Sequence, residues 1–312
     1  MRTIHVGIFH YSGSSKSAVY GLEEAFQFAN RACLQLGEPC QFLTSVFQNI
    51  EDLTASCDVL LLPPANDDIY YLAPLDSDIQ WMVEQHRQGT LLASACAGAF
   101  VLAATGLVQH RSITTHWGLA QALKAAYPKL EIDSNQILID HHDIITAGGM
   151  MSWLDLALEL IARFASPAAM RLVGKLLVVD TAPREQRFYQ QFLPNLQHGD
   201  QAIVDVQQYI NLYFADTLVV EQLAIGVHMT VRTLQRRLKA ATGFNPNQYI
   251  QRVRVQKVCD LLETGNESFE VIARQVGYED SSACRKVFVK VMGLTPVEFR
   301  RRFQSKSKIA KV

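Results

Sequence analysis

LAIGVHMTVRTLQRRLKAATGFNP, Leu223 to Pro246, returns in outline as IARQVGYEDSSACRKVFVKVMGLTP, Ile272 to Pro296. Leu223-Ala224 corresponds to Ile272-Ala273 and Val227 to Val276, 49 residues on, whereas Gly243 and Pro246 correspond to Gly293 and Pro296, 50 residues on. One residue has been added in the second turn. The first copy reads as an amphipathic helix around Val219 to Ala224, a turn at Gly226-Val227, and a second helix that Thr230 caps through its hydroxyl. In that second helix Leu234 and Leu238 stand four apart and point inward. Arg232, Gln235 and Arg236 then occupy the opposite, solvent side. Arg and Gln can form paired hydrogen bonds to base edges. Arg237 and Lys239 suit phosphates, a contact without sequence information. Two such units can place helices in successive major grooves on one face of DNA.

The second copy repeats the logic. Ile272 to Val276 is the supporting helix, Gly277 the turn, and Asp280 or Ser281 the cap. Cys284, Val287 and Phe288 are expected inside, and Ser281, Ser282, Arg285 and Lys286 are the candidates to meet DNA. A connecting helix from about Pro246 to Glu263, carrying Arg252, Arg254 and Lys257, fixes the spacing. The tail FRRRFQSKSKIAKV adds a basic patch. These last 95 or so residues resemble the DNA-binding domain of AraC/XylS-type transcription regulators, above all in GYEDSSACRKVFVKVMGLTPVEFRR. Ala283 and Cys284 are smaller than that family's usual residues. The resemblance therefore implies a looser second unit that positions the protein or reads DNA shape.

Charge divides along the same line. Residues 217–312 hold 17 Lys and Arg against 8 Asp and Glu, net +9, and residues 1–216 hold 12 against 22, net −10. A basic part joined to an acidic part is the footprint of a nucleic-acid binder fused to another domain. Length allows about two domains, and 49% hydrophobic residues exclude a disordered chain. Met1-Arg2-Thr3 runs directly into a strand-like stretch without a leader. No apolar run approaches the roughly 20 residues of a membrane span. The six cysteines lack CxxC pairing, which suggests a reducing compartment. The expected location is the cytoplasm, at the nucleoid, with no membrane contact.

Toward the N-terminus, HVGIFHY, DVLLLPP and TLLASAC read as buried strands. Ala18 to Leu36, Asp76 to Gln88, AGAFVLAATG and Met151 to Phe164 read as helices, and ILIDHHDIITAGG as a strand pair. This alternation predicts an α/β fold: a doubly wound, mostly parallel, flavodoxin-like sheet with helices on both faces, followed by an all-α domain with two helix-turn-helix units. Ligands gather at the carboxyl ends of such strands. There, ASACAGA places Cys96 between a strand and a small-residue helix, like a nucleophile elbow. A helix N-terminus behind it would favour the thiolate, and His116 in ITTHW could serve as its base. ACAGAFVLAATGLVQHRSITTHW resembles the PfpI-protease and class I glutamine-amidotransferase-like fold, in the version attached to AraC-type domains. ITAGG and LDLALELI match a later strand and helix.

Several features weigh against catalysis. Pro63-Pro64-Ala65-Asn66 replaces the expected Gly-rich turn, and Ser14-Ser15-Lys16-Ser17 replaces an acidic loop. Glu24 reads as structural, and no carboxylate follows His116 at triad spacing. Cys96 and His116 are therefore vestigial, and no catalytic residue is assigned. The expected ligand pocket is Cys96, Ala97, His116 and Trp117. The alternatives are a thiol-dependent hydrolase, amidase or glyoxal-type hydratase, or a redox sensor, acting through Cys96. His141-His142 with Asp140 and Asp143 is read as a polar turn rather than a metal site, because adjacent strand residues face opposite ways. No cofactor is expected. The domains are expected at 1–178, a linker at 179–200, and 201–312. The expected partners are promoter DNA, a small effector such as an amino acid or quaternary amine suggested by the resemblance, RNA polymerase, and a second copy in a homodimer.

Overall fold

The computed structural model describes residues 1–53, 56–182 and 184–304 and divides the chain into Met1–Gln186 and Arg187–Val312. The expected linker at 179–200 thus straddles the division. Its residue Pro183 and the tail lysines Lys306, Lys308 and Lys311 lie outside the described residues.

In the first unit the elements are β1 (Arg2–Phe9), α1 (Lys16–Leu36), β2 (Cys40–Phe47), β3 (Val59–Leu62), α2 (Ile69–Leu72), α3 (Asp76–Arg87), β4 (Leu91–Ala95), α4 (Gly98–Ala104), β5 (Ser112–Ile113), α5 (Ala120–Ala126), β6 (Glu131–Ile132), β7 (Leu138–Asp140), β8 (Ile144–Ala147), α6 (Trp153–Phe164) and α7 (Pro167–Leu177). Six strands form one sheet in the order β2-β1-β3-β4-β8-β7, and β5 pairs with β6 apart from it. Only β7 runs antiparallel in the large sheet, as the hairpin partner of β8. The doubly wound α/β expectation holds. β2 escaped the sequence reading because CQFLTSVF mixes polar and apolar residues, as an edge strand does.

Side chains on successive strand residues leave opposite faces. Val59 and Leu61 join Ile4, Val6 and Ile8 in a core covered by α1, α6 and α7, whereas Leu60 and Leu62 join a second core with α4 and Met82. Strands buried on both sides explain the unbroken apolar run VLLL and the nearly apolar LLASA, whose Ser94 is also buried. The tightest contact is at the start of α4. A Cβ on Gly98 would stand 2.3 Å from the Leu62 carbonyl oxygen, so only glycine lets α4 approach β3 this closely.

The second unit is helical: α8 (Gln201–Leu212), α9 (Val220–Gly226), α10 (Val231–Thr242), α11 (Pro246–Thr264), α12 (Phe269–Gln275), α13 (Ser281–Met292) and α14 (Pro296–Phe303). α11 starts at Pro246 behind a capping box, in which Asn245 and Gln248 bond each other's backbone N–H groups. Tyr249, Ile250 and Val253 of α11 enter a core with α8, α9 and α10, while Val255, Val258, Cys259 and Leu262 enter another with α12, α13 and α14.

Gly98→Ala is expected to destabilise the chain by about 1–3 kcal/mol through overpacking against backbone, read as a lowered midpoint in urea unfolding.

Candidate functional site

Both copies of the repeat build the same local geometry. α9 and α12 are each followed, two residues past their last, by a left-handed residue, His228 (φ 55°) and Gly277 (φ 85°). Past it, the Met229 and Tyr278 N–H groups donate back to Ala224 and Ala273, both at 2.9 Å. The first turn therefore pivots on His228, and Gly226 still belongs to α9. The Thr230 hydroxyl accepts from the Thr233 N–H at 3.2 Å. Asp280 caps α13 by accepting from the Ser282 and Ala283 N–H groups at 2.8 and 3.2 Å. These caps align the recognition helices residue for residue. Leu234 and Leu238 are buried in one, Cys284 and Phe288 in the other. Arg232, Gln235 and Arg236 are exposed in α10, and Ser282, Arg285 and Lys286, each 50 positions on, are exposed in α13. Ser281 is half-buried, as is Val287.

The two faces differ in charge. Arg232, Gln235, Arg236 and Lys239 line an open groove of about 770 Å³ together with Asn247 and Gln251 from the start of α11. In α13 the Arg285 guanidinium lies 5.0 Å over the Phe269 ring and 3.8 Å from the Glu270 carboxylate, so part of its charge is already engaged. Two expectations change. Arg237 does not face phosphates: its Nε and Nη2 grip both oxygens of Asp200, at 2.8 and 2.5 Å, and tie α10 to the start of α8. Ala283 lies at the surface, so its small size opens no gap in the second core.

The N-terminal unit carries a different site. β4 ends at Ala95, Cys96 turns the chain at φ 54°, and α4 begins at Gly98. The elbow is pinned on both sides. The Cys96 N–H donates to the Ala147 carbonyl at 2.8 Å, and its own carbonyl accepts from the Thr115 hydroxyl at 2.7 Å. The thiol is not favoured as thiolate. Cys96 is 2% exposed, and burial pushes its pKa up to about 11 although the Ala97 N–H pulls the other way. A helix of seven residues offers too little dipole to offset that desolvation.

His116 borders the same cleft, and burial lowers its pKa, which keeps the ring neutral. Its Nδ1 accepts from the Gly118 N–H at 3.0 Å, so that nitrogen is not free to take a proton from Cys96. Among the described hydrogen bonds none joins Cys96 to His116. The two prolines of the turn opposite offer carbonyls and no oxyanion donors. Pro63 and Pro64 have no N–H, and their oxygens accept from the Tyr11 hydroxyl and the Ser15 N–H, at 2.5 and 2.7 Å. Ser15 and Ser17 bond each other, and Glu24 is exposed on α1.

What remains is an open cleft of about 570 Å³ lined by Cys96 and His116 with Asn66, Asp67, Asp68, Tyr71, Leu119 and Met150. Ala97 and Trp117 are not among its lining residues. Ala97 is buried in the core, and Trp117 turns aside beside the His116 ring. His141 bonds the Ser112 carbonyl at 2.7 Å, and His142 sits at φ 71° in the β7–β8 turn.

The residue the sequence hid is Gln186, the last of this unit and 2% exposed. Its amide nitrogen donates to the Thr115 and Gln136 carbonyls at 2.9 Å, and its oxygen accepts from the Trp117 N–H at 3.3 Å. Gly148 makes room: a Cβ there would lie 1.8 Å from the Gln186 amide. Thr115 therefore touches the elbow and Gln186, His116 touches the cleft, and Trp117 touches Gln186 again. A lone glutamine in a polar stretch carries no such signal.

Alkylation of Cys96 by iodoacetamide, followed by peptide mass mapping, is expected to be slow at pH 7.5. It should climb about tenfold per pH unit through pH 9.5 without levelling, since the neutral thiol persists below its raised pKa. A plateau near pH 8 would instead mark a thiolate-favouring elbow.

Family models match on both units: the DJ-1/PfpI family over residues 42–163 and a helix-turn-helix domain over 223–302. The chain is 27% identical over 205 residues to the HTH-type transcriptional regulator CdhR of Pseudomonas aeruginosa, covering 65% of this chain and 61% of that protein. It is 27% identical over 221 residues to the HTH-type transcriptional regulator GlxA of Rhizobium meliloti, covering 69% and 67%. The match spans less than two thirds of the length of CdhR and of GbdR, an HTH-type transcriptional regulator of Pseudomonas aeruginosa matched at 21% identity. The crystal structure of a transcriptional-regulator candidate from Vibrio parahaemolyticus superposes with TM-score 0.50 at 18% identity, over 56% of this chain and all of that one, and shares the fold of the first unit. No helix among the described residues is long and apolar enough to cross a membrane. The chain joins a DJ-1/PfpI-family domain to an AraC-type helix-turn-helix domain.

Proposed function

We propose that this chain is a sequence-specific DNA-binding transcription regulator whose N-terminal unit senses a small molecule. The observation that carries the reading is the pair of exposed triads, Arg232, Gln235 and Arg236 on α10 and Ser282, Arg285 and Lys286 on α13, at equivalent positions of helices that pack on one rigid α11. Thr230 and Ser281 stand at the helix starts, where backbone N–H groups suit phosphates. The first unit reads bases, and the second, with Arg285 partly engaged by Glu270, mainly positions the protein. The partners of this reading are double-stranded promoter DNA, RNA polymerase and a second copy of the chain, working in the cytoplasm.

The sensing site is the Cys96–His116 cleft. Two carboxylates, Asp67 and Asp68, beside Tyr71 and Met150 suit a small organic cation such as an amino acid or quaternary amine. Gln186 then relays occupancy. A ligand that shifts the 114–117 segment strains the amide clasp holding the last residue before the DNA-binding unit. An enzymatic role is not part of this reading: burial keeps the Cys96 thiol protonated, no carboxylate bonds His116 among the described hydrogen bonds, and Pro63 and Pro64 have no N–H to offer an oxyanion.

In gel-shift assays against the promoter beside its own gene, Arg232→Ala with Arg236→Ala is expected to weaken binding at least about tenfold, since each bidentate base contact is worth about 1–3 kcal/mol. Arg237→Ala, which breaks an internal tie, should lower the melting temperature and leave the salt dependence of binding unchanged. Unaltered affinity in the double variant would remove the contact assignment. In a thermal-shift screen of small amines and amino acids, a binder should raise the melting temperature, and Asp67→Asn with Asp68→Asn should abolish that rise. An equal rise in the variant would place the effector elsewhere.

A further inference from the structure

α11 sorts its polar side chains into two sets. Arg252 and Lys257 lie over the Phe244 and Phe214 rings, and Arg254 bonds the Phe214 and Asp216 carbonyls. Gln248 completes the capping box, and Gln256 accepts from the Phe192 N–H and donates to Asp260. Asn247 and Gln251 are different. They stand four apart on one side of the helix, both are exposed, and neither has a hydrogen-bond partner among the described residues. Both line the open groove of about 770 Å³ whose other wall is α10, with Arg232, Arg236 and Lys239. None of those three cations is in an ion pair among the described residues, and no carboxylate lines the groove. Fifty positions on, Val289, Val297 and Arg301 stand in place of Lys239, Asn247 and Gln251. The pairing of free cations with free amides is thus a feature of the first unit.

Charge and position select the occupant. Three unopposed cations repel a second copy of the same groove and suit a polyanion. Arg232, Gln235 and Arg236 belong to the same surface, so once α10 lies in the major groove of DNA, the duplex covers this groove too. A helix with its side chains is about 10–12 Å across, and the major groove is about 12 Å wide. α10 therefore fills it, and a side chain from the next helix meets the strand that borders the major groove before it meets a base edge. A phosphodiester offers acceptor oxygens and no donor. A side-chain amide nitrogen donates, which lets Asn247 and Gln251 hold that strand without adding charge.

We infer that Asn247 and Gln251 are phosphate contacts, and that α10 and α11 together clamp one DNA strand in the groove between them. The inference rests on the DNA-binding reading given above. It makes the start of α11, which otherwise spaces the two recognition helices, part of the interface itself.

The test uses the full chain with two duplexes, the promoter fragment and a random sequence of the same length, because a phosphate contact serves both. Affinity is followed by gel shift between about 50 and 200 mM salt. Asn247→Ala with Gln251→Ala should weaken binding at least about tenfold, by the same factor on both duplexes, since hydrogen bonds to charged groups are among the stronger ones. The salt slope should not change, because no charge is lost. The melting temperature should hold or rise, since both side chains are exposed and alanine favours helix. Asn247→Lys with Gln251→Lys should tighten binding and steepen the log–log salt slope by about two, a gain that misfolding cannot produce. An alanine pair that binds within about twofold of the parent overturns the inference, and so does a lysine pair with an unchanged slope. A loss confined to the promoter duplex overturns it as well, by making the two amides base readers. These three results leave the DNA-binding reading standing. A parent chain that binds neither duplex overturns that reading, and the inference falls with it.

Discussion

α11 lies in two hydrophobic cores at once, and the geometry of the DNA-binding unit depends on that. Its first turns give Tyr249, Ile250 and Val253 to the core under α10, and its later turns give Val255, Val258, Cys259 and Leu262 to the core under α13. An α-helix rises about 1.5 Å per residue and resists bending, so a helix anchored at both ends sets the distance and rotation between the two recognition helices. Three cations on it serve the same frame. Arg254 donates to the Phe214 and Asp216 carbonyls at 2.8 Å, Arg252 covers the Phe244 ring and Lys257 the Phe214 ring. Basic residues on this helix are thus fasteners, whereas Arg232 and Arg236 on α10 and Lys286 on α13 stand exposed.

In the N-terminal unit the governing balance is burial against dipole. The backbone keeps the elbow: a left-handed residue between strand and helix, glycine-close packing of α4 on the Leu62 carbonyl, and hydrogen bonds on both sides of Cys96. Thiol chemistry needs more than that shape. Desolvation holds the proton on Cys96, His116 spends its Nδ1 on the Gly118 N–H, and the facing prolines present carbonyls. The cleft that remains sets Asn66, Asp67 and Asp68 beside Cys96 and His116, and in the proposed sensing role the two carboxylates select the ligand by charge. The clasp on Gln186 gives that pocket a short mechanical route to the end of its unit.

Much of this was legible in the chain itself. The repeat spacing, the capping residues Thr230 and Asp280 and the period-four apolar pairs are local signals, set by backbone hydrogen bonding within one turn of helix. They place α10 and α13 and put Arg232, Gln235, Arg236, Ser282, Arg285 and Lys286 at the surface, though Ser281 is half-buried and Arg237 is taken by Asp200. Unbroken apolar strands alternating with amphipathic helices likewise fix a parallel sheet, because only strands covered on both faces dispense with polar alternation. The elbow at Cys96 follows from small residues where strand meets helix.

Tertiary structure decided which charged and polar groups are already taken. Arg237 reads as a phosphate contact until Asp200, 37 residues away, closes on it. Arg285 reads as free until Phe269 and Glu270 come beneath it. Ala97 and Trp117 follow Cys96 and His116 in sequence yet do not line the cleft, while Asn66, Asp67 and Tyr71 arrive from beyond another strand's end to line it. Gln186 becomes a clasp only once Thr115, Trp117, Gln136 and Gly148 surround it. Local sequence determines secondary structure and outward faces, since those depend on neighbours within a few residues. The state of a thiol, the availability of a cation and the lining of a pocket depend on desolvation and on partners brought together across tens of residues, and these exist only after the chain has folded.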